Sequence, residues 1–198
     1  MKRTGVLALL WLISAVGCQQ TLAPNEDFIS LHERFHGKYR PVSSVASEAV
    51  DANFDGKPST DMLVELRDLA TTDLRIDING PSVHRSERFF GFYHAWPEQY
   101  VRNPYTNKEP VAYDSLATVN YNWQAVSRQF DFDKDIRQMQ LKPDNEPLPD
   151  PEQFAPPKAV TIEAGDRVKI INSKRLYTRS GWKTVEIVTV YKRYTTVT

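Results

Sequence analysis

Apolar residues in this 198-residue chain recur mostly at every second position and only twice at helical spacing. The first helical stretch is "DFISLHERFHG", where Phe28, Leu31 and Phe35 stand at i, i+3 and i+7 before a stop at Gly37. The second is "STDMLVELRDLA", with Met62, Leu66 and Leu69 on one face and Ser59 or Thr60 as N-cap. Elsewhere the period is two. "RPVSSVASEAV" is extended, and "DLRIDING" alternates Leu74, Ile76 and Ile78 into an Asn79-Gly80 hairpin signal, with "RFFGFYHAW" as the return strand. "ATVNYNW" and "RQFDFDKD" alternate in the same way. "AVTIEAGDRVKII" folds about a two-residue Gly165-Asp166 turn, and "WKTVEIVTVYKRY" follows a turn at Ser180-Gly181. About eight strands against one helix and one shorter helix predict a mainly β chain, a barrel or a sandwich. Residues 142–157 hold six of the thirteen prolines and predict a long semi-rigid loop, either a cover for a barrel opening or a surface excursion.

The N-terminus follows another pattern. Lys2 and Arg3 precede the apolar run "VLALLWLISAV", too short for a membrane span and suited to the h-region of an export signal. The run ends in "SAVGC", which resembles the lipobox of bacterial lipoproteins, with Ala15 where that family usually has leucine. The resemblance implies a signal peptide over 1–17, cut after Gly17, and diacylglycerol on Cys18; an ordinary cleaved signal is the alternative. Several acyl chains on one residue give a durable anchor. It also implies a cell-envelope address, and Gln19 suits delivery to the outer membrane. Residues 18–27 then form the lipidated cysteine and a tether, "QQTLAPNE", whose eight residues reach about 25 Å at most. The single cysteine leaves no disulfide available.

Charge excludes one class of partner. Without Lys2 and Arg3 the chain carries 23 basic and 25 acidic residues, and nothing in that balance argues for nucleic acid. Locally, residues 131–155 are acidic and 158–198 basic. Solvated strand faces account for this, as does a basic face turned to anionic lipid headgroups or glycan.

"DANFDGKPSTDM", residues 51–62, begins as a calcium loop does. Asp51, Asn53 and Asp55 stand at positions one, three and five, Gly56 at six, Lys57 at seven through its carbonyl, and Ser59 at nine. Met62 at position twelve has no side-chain oxygen, so Asp61 is the candidate to close the site, with Glu65 one helical turn further on. An oxygen-only donor set favours Ca2+ of modest affinity, on the order of 10⁻⁴ to 10⁻³ M. An Asx-rich turn that caps the following helix is the alternative. "DFDKDI" repeats the aspartate spacing without the glycine and reads as a strand with a wet face.

"FHGKYRPVSS", "VDANFDGKPSTDMLVEL" and "VEIVTVYKRY" together resemble the lipocalin-like domains of small lipoproteins found in the Bacteroidota. The resemblance implies a lipocalin-like antiparallel β-barrel of about eight strands with one or two short helices over 28–198. Gly37-Lys38-Tyr39 stands where that pattern has Gly-x-Trp, and Arg193 is the arginine that packs on the aromatic. It further implies a binding protein enclosing a small, mostly apolar ligand. Twelve of the 22 aromatics lie between Phe89 and Phe132, as cavity lining or as plain core.

"HERFH" matches the H-E-x-x-H helix of zinc peptidases, with His32 and His36 as ligands, Glu33 as base and Glu65 as the best third ligand. The helix ends at once, at Gly37, and no third-ligand signature follows, so a structural helix with an exposed His32 and a partly packed His36 is the preferred reading. His84 and His94 read as ordinary strand residues. The sequence thus predicts a lipid-anchored binding barrel, possible calcium bracing included, against two rivals: a zinc metallopeptidase and a solid barrel of structural purpose.

Overall fold

The computed structural model describes residues 28–81, 87–143 and 155–198. Cys18, the expected export signal and tether, His84 and most of the proline-rich stretch lie outside the described residues. The chain runs α1 (Phe28–Phe35), β1 (Gly37–Val50), β2 (Ser59–Asp61), α2 (Met62–Glu65), a 3-10 turn (Leu69–Thr71), β3 (Leu74–Asn79), β4 (Phe89–Arg102), β5 (Thr118–Phe132), β6 (Met139–Leu141), β7 (Ala159–Glu163), β8 (Arg167–Thr178) and β9 (Gly181–Thr195). Hydrogen-bonded neighbours follow the order β6-β5-β4-β3-β1-β9-β8-β7, every pair antiparallel, with β2 added to β1. A bridge between Gln138 and Thr161, and a bond of 2.8 Å from Ile162 N to Arg137 O, bring β6 against β7. The result is a nearly closed antiparallel barrel of eight strands, each beside its neighbours in sequence.

Alternation explains the wall. On β8, Val168, Ile170, Asn172, Lys174 and Leu176 are buried and the residues between them less so. On β1 the buried set is Gly37, Tyr39 and Pro41, then Ser44 and Ala46. The change of parity falls at a bulge, because Pro41 pairs with Tyr191 while Ser43 pairs with Val190, leaving Val42 as the extra residue. A proline beside the bulge has no N–H to lose from the ladder.

Two apolar clusters fill the barrel. One joins Leu31 and Phe35 of α1 to Tyr39, Ile76, Phe92, Phe130, Val168, Ile170 and Tyr191. The other joins Met62, Leu66 and Leu69 to Trp96, Leu176, Val185 and Ile187. Several expected local features differ. The second helix is one turn long, Met62–Glu65, because Asp61 caps it through Leu63 N and Leu66 is already extended; Ser59 and Thr60 sit in β2 instead. Met62, Leu66 and Leu69 are nonetheless all buried. Asn79-Gly80 is not a tight hairpin, since Asn79 pairs with Phe89. The β7–β8 turn has three residues, as Glu163 pairs with Arg167, and the β8–β9 turn is Arg179-Ser180, as Thr178 pairs with Gly181. "ATVNYNW" and "RQFDF" are one continuous strand, and Asp133 leaves it to accept from Arg137 N and Gln138 N.

Gly37 fixes the junction of α1 and β1. Its φ is +139°, and a Cβ there would lie 2.2 Å from Thr195 O. Arg193, opposite Tyr39, does not stack on that ring; it donates to Glu33 O at 2.7 Å and His36 O at 3.2 Å, tying the last strand to the end of α1. Gly37→Ala is expected to cost about 3 kcal/mol or more, combining strain and collision. Gly165→Ala, with φ +74° and open space around it, should cost about 1 kcal/mol. Urea denaturation of both variants measures the difference, and equal losses would remove the role given to Gly37.

Candidate functional site

The barrel wall is complete in one half only. β5 meets β6 at Phe130–Phe132, and β7 meets β8 at Arg167–Ile171. Among the described residues no strand pairs with the β6-side edge of β5 from Thr118 to Arg128, nor with the β7-side edge of β8 beyond Ile171. On the other side of the β4–β5 hairpin, Ala95 N still donates to Asp73 O, but two residues on Pro97 has no N–H to offer and β3 has ended. The hairpin therefore continues as a two-stranded arm beside β8 and β9.

Gln99 closes part of this gap with its side chain. Its Nε2 donates to Tyr177 O at 3.2 Å and its Oε1 accepts from Tyr177 N at 2.6 Å, so one amide replaces a missing ladder rung. The same Nε2 lies 3.2 Å from Ala52 O. Loop 103–117, which joins β4 to β5, folds back as a strap. Trp182 Nε1 donates to Pro110 O at 2.9 Å, Asp114 N donates to the Tyr177 hydroxyl at 2.6 Å, and Arg175 pairs with Glu109 at 2.9 Å. Asn103 donates to Asp114 and holds that carboxyl below its usual range.

Between arm, strap and β8–β9 lies a cleft of about 400 Å³, lined by Glu98, Gln99, Tyr100, Val101, Arg102, Glu109, Asn122, Gln124, Arg175 and Trp182. That volume is within the range of small-molecule sites. Its lining is mainly polar, and the alternation of β4 carries it inward: Glu98 is followed toward the core by Trp96, His94 and Phe92.

A polar layer separates the two apolar clusters. Lys174 and Glu98 form a buried ion pair, with Lys174 Nζ 5.4 Å from the centroid of Trp96. His94 Nε2 and the Tyr191 hydroxyl share a hydrogen bond of 2.8 Å, and Ser44 and Thr189 share another. Burial, with the Lys174 charge added, pushes the His94 pKa down to about 3. Burial also raises the Tyr191 hydroxyl well above its usual value. The pair is thus neutral at ordinary pH. Trp96 Nε1 and Asn172 Nδ2 are buried without hydrogen-bond partners among the described residues. These residues give no motif in sequence; only the inward parity of β4 and β8 could have pointed to them.

The proposed calcium loop is folded as a chain of Asx-type turns. Asn53 Oδ1 accepts from Asp55 N, Asp55 Oδ1 from Lys57 N, Ser59 Oγ from Asp61 N and Asp61 Oδ1 from Leu63 N. Asp51 Oδ2 accepts from Gly56 N at 3.1 Å and meets Arg179 at 3.4 Å. Glu65 turns back into the loop, where its Oε2 accepts from Ala52 N and Asn53 N. Asp51 Oδ1 and Glu65 Oε1 are buried and have no donor among the described residues. Burial raises the Glu65 carboxyl, against its two backbone hydrogen bonds, and Asp51 and Asp55 add to the rise. Asp51 and Glu65 are buried, whereas Asn53, Asp55, Lys57 and Asp61 are exposed. No group of three or more His, Cys, Asp or Glu placed to hold a metal occurs among the described residues.

α1 does bring the two histidines of "HERFH" together. Their rings stack at 4.3 Å with 14° between planes, and His32 is half-buried where exposure was expected. His36 Nδ1 accepts from Ile78 N at 3.1 Å, and burial followed by His32 lowers its pKa. Glu65 does not join them: its side chain turns toward Ala52 N and Asn53 N, next to Met62 and Leu66 of the other apolar cluster.

Neutral His94 makes stability depend on pH. Its folded pKa lies below its unfolded value of 6.5, so the unfolded chain takes up the proton first and stability is lost as pH falls below 6.5. Between pH 7 and pH 4.5 this group alone should remove on the order of 3 kcal/mol. Denaturant titrations at both pH values should show that loss in the wild type and not in His94→Gln; an equal loss in both would refute it.

No family model matches the chain, and neither a curated protein nor a solved structure matches it.

Proposed function

We propose that this protein is a lipid-anchored binding protein of the cell envelope, whose ligand is a small polar molecule held in the cleft between the β4–β5 arm and β8–β9. The observation that carries the reading is the cleft itself, a polar-lined space of about 400 Å³ in a barrel whose closed half is packed with side chains. The ligand chemistry accordingly moves from the apolar molecule of the lipocalin-like expectation to one that hydrogen-bonds. Trp182 and Tyr100 offer ring surface and Gln99, Asn122 and Gln124 offer amides, a combination that suits polar ligands with some apolar face. Anchoring through Cys18 with diacylglycerol, at the outer membrane, is part of the proposal and rests on the lipobox-like "SAVGC".

Calcium enters this reading as a brace and not as chemistry. Its support is the two buried carboxylate oxygens without donors, Asp51 Oδ1 and Glu65 Oε1. They shift the favoured donors from Asp55 and Asp61 toward Asp51 and Glu65. Millimolar Ca2+, added to full-length protein in detergent, should raise the melting temperature relative to EDTA, and Asp51→Asn should abolish the rise; an unchanged wild-type melt removes the brace.

Native mass spectrometry of the full-length chain purified from its own host tests the rest. The expected species begins at Cys18, carries a diacylglycerol-sized mass and labelled palmitate, and releases a polar small molecule. A species that begins elsewhere without acyl mass would overturn the anchor. Protein that carries no small molecule, and takes up none from a host extract, would overturn the binding role.

A further inference from the structure

We infer that the ligand of the cleft bears a carboxylate and that Arg102 is its anchor, a step that rests on the cleft being the binding site. Four charged side chains line it. Glu98 is paired with Lys174 and Glu109 with Arg175, which leaves Arg102 with no carboxylate partner among the described residues.

The guanidinium is held in one orientation. Its Nη1 donates to Asn107 O at 2.7 Å and Asn107 Oδ1 at 3.3 Å, and its Cζ lies 4.8 Å from the centroid of Tyr100. Asn107 has φ +55°, so its carbonyl is presented from a left-handed turn fixed by Asn107 N donating to Asn103 O. With Nη1 engaged, Nε and Nη2 form the remaining edge of the fork, the edge that takes a carboxylate with two parallel hydrogen bonds. Nε is buried and has no acceptor among the described residues. A buried guanidinium N–H without an acceptor is costly, and a ligand oxygen removes that cost.

Two more buried polar atoms without partners among the described residues lie behind the cleft, on the inward faces of β4 and β8. Trp96 Nε1 lies one alternation inward from Glu98, and Asn172 Nδ2 one alternation from Lys174. Both are donors. At the 51–65 loop the unpartnered atoms are carboxylate oxygens, so the two regions call for opposite charges. One unpaired cation also limits the ligand's charge. A phosphate dianion would put its second charge near Glu98 and Glu109, whereas a monoanion balances Arg102 alone. Asn122 and Gln124 leave the body of the ligand to be neutral and rich in hydrogen bonds.

Calorimetric titration of the full-length chain in detergent tests this with glucuronate, glucose and inorganic phosphate as probes. Glucuronate is expected to bind at least about tenfold more tightly than either of the others. Arg102→Gln should remove that preference, and Arg102→Lys, which keeps the charge without the fork, should not restore it. A downfield shift of the Arg102 Nε–H resonance on adding glucuronate to wild type gives a reading that needs no variant to fold. Equal binding of glucose and glucuronate, tighter binding of phosphate, no binding of glucuronate, or an unmoved Nε–H resonance would each overturn the carboxylate. Asn122→Trp fills the cleft and should abolish glucuronate binding; undiminished binding to that variant would overturn the cleft itself.

Discussion

Unequal strand length governs this molecule. β4, β5, β8 and β9 run for 14, 15, 12 and 15 residues, while β3, β6 and β7 run for six, three and five. A barrel closes only where every strand is present, since a missing strand leaves two edges of unpaired N–H and C=O groups. Here the short strands all lie toward α1. At that end the wall is continuous and the interior apolar, and beyond it the long strands must find other partners. The Gln99 amide takes the place of one missing rung, and the 103–117 strap is held to the long strands through the side chains of Arg175, Tyr177 and Trp182.

The same geometry accounts for the buried polar layer. Lys174 and Glu98 occupy inward positions on β8 and β4 where the closed half gives way to the open one. An ion pair deep in the apolar half would cost more in desolvation than it returns, whereas one beside a polar cleft keeps part of its solvation. The neighbouring His94 remains neutral for the complementary reason: it is fully enclosed and close to a positive charge. Trp96 spans the boundary, with its ring in the second cluster and near Lys174. The layer therefore joins the wall of the cleft to the core through a continuous run of side-chain contacts.

Period-two patterns gave the wall, because burial on one face imposes alternation wherever a strand is paired. Phe28, Leu31 and Phe35 likewise marked α1. Strand ends and loop lengths were less legible. Asn79-Gly80 satisfies a tight turn locally, yet the strands resume pairing only at Phe89, and no local rule reveals that. Helical spacing at Met62, Leu66 and Leu69 reported burial correctly and secondary structure poorly, since one turn followed by a 3-10 turn places the same residues inward. Of the 51–65 loop, Asp51 is legible through its spacing, while Glu65 lies one helical turn beyond the twelve-residue pattern. The cleft had no sequence signature. It arises where, among the described residues, one edge of β5 and one edge of β8 lack a paired strand, and an absence of pairing leaves both edges with ordinary alternating residues. Pro97 was the available sign: a proline within an otherwise regular strand marks an edge where a ladder stops.

Where a small barrel keeps its ligand depends on which part of the interior its side chains can fill. In the closed half Phe35, Phe92, Phe130 and Phe132, together with Tyr39 and Tyr191, occupy the axis, and the Phe35–Phe132 and Phe130–Phe132 centroids lie 5.0 and 5.2 Å apart. Rings at that spacing are in contact and leave little room for a guest. Emptying this half would need large-to-small changes at several positions, each costing about 3–5 kcal/mol. The open half carries no such penalty, because the space between strap and arm is already present and lined mainly by polar groups. With this distribution of aromatics the open space falls at the seam, and the packed core holds the two long hairpins at the separation that leaves the cleft between them.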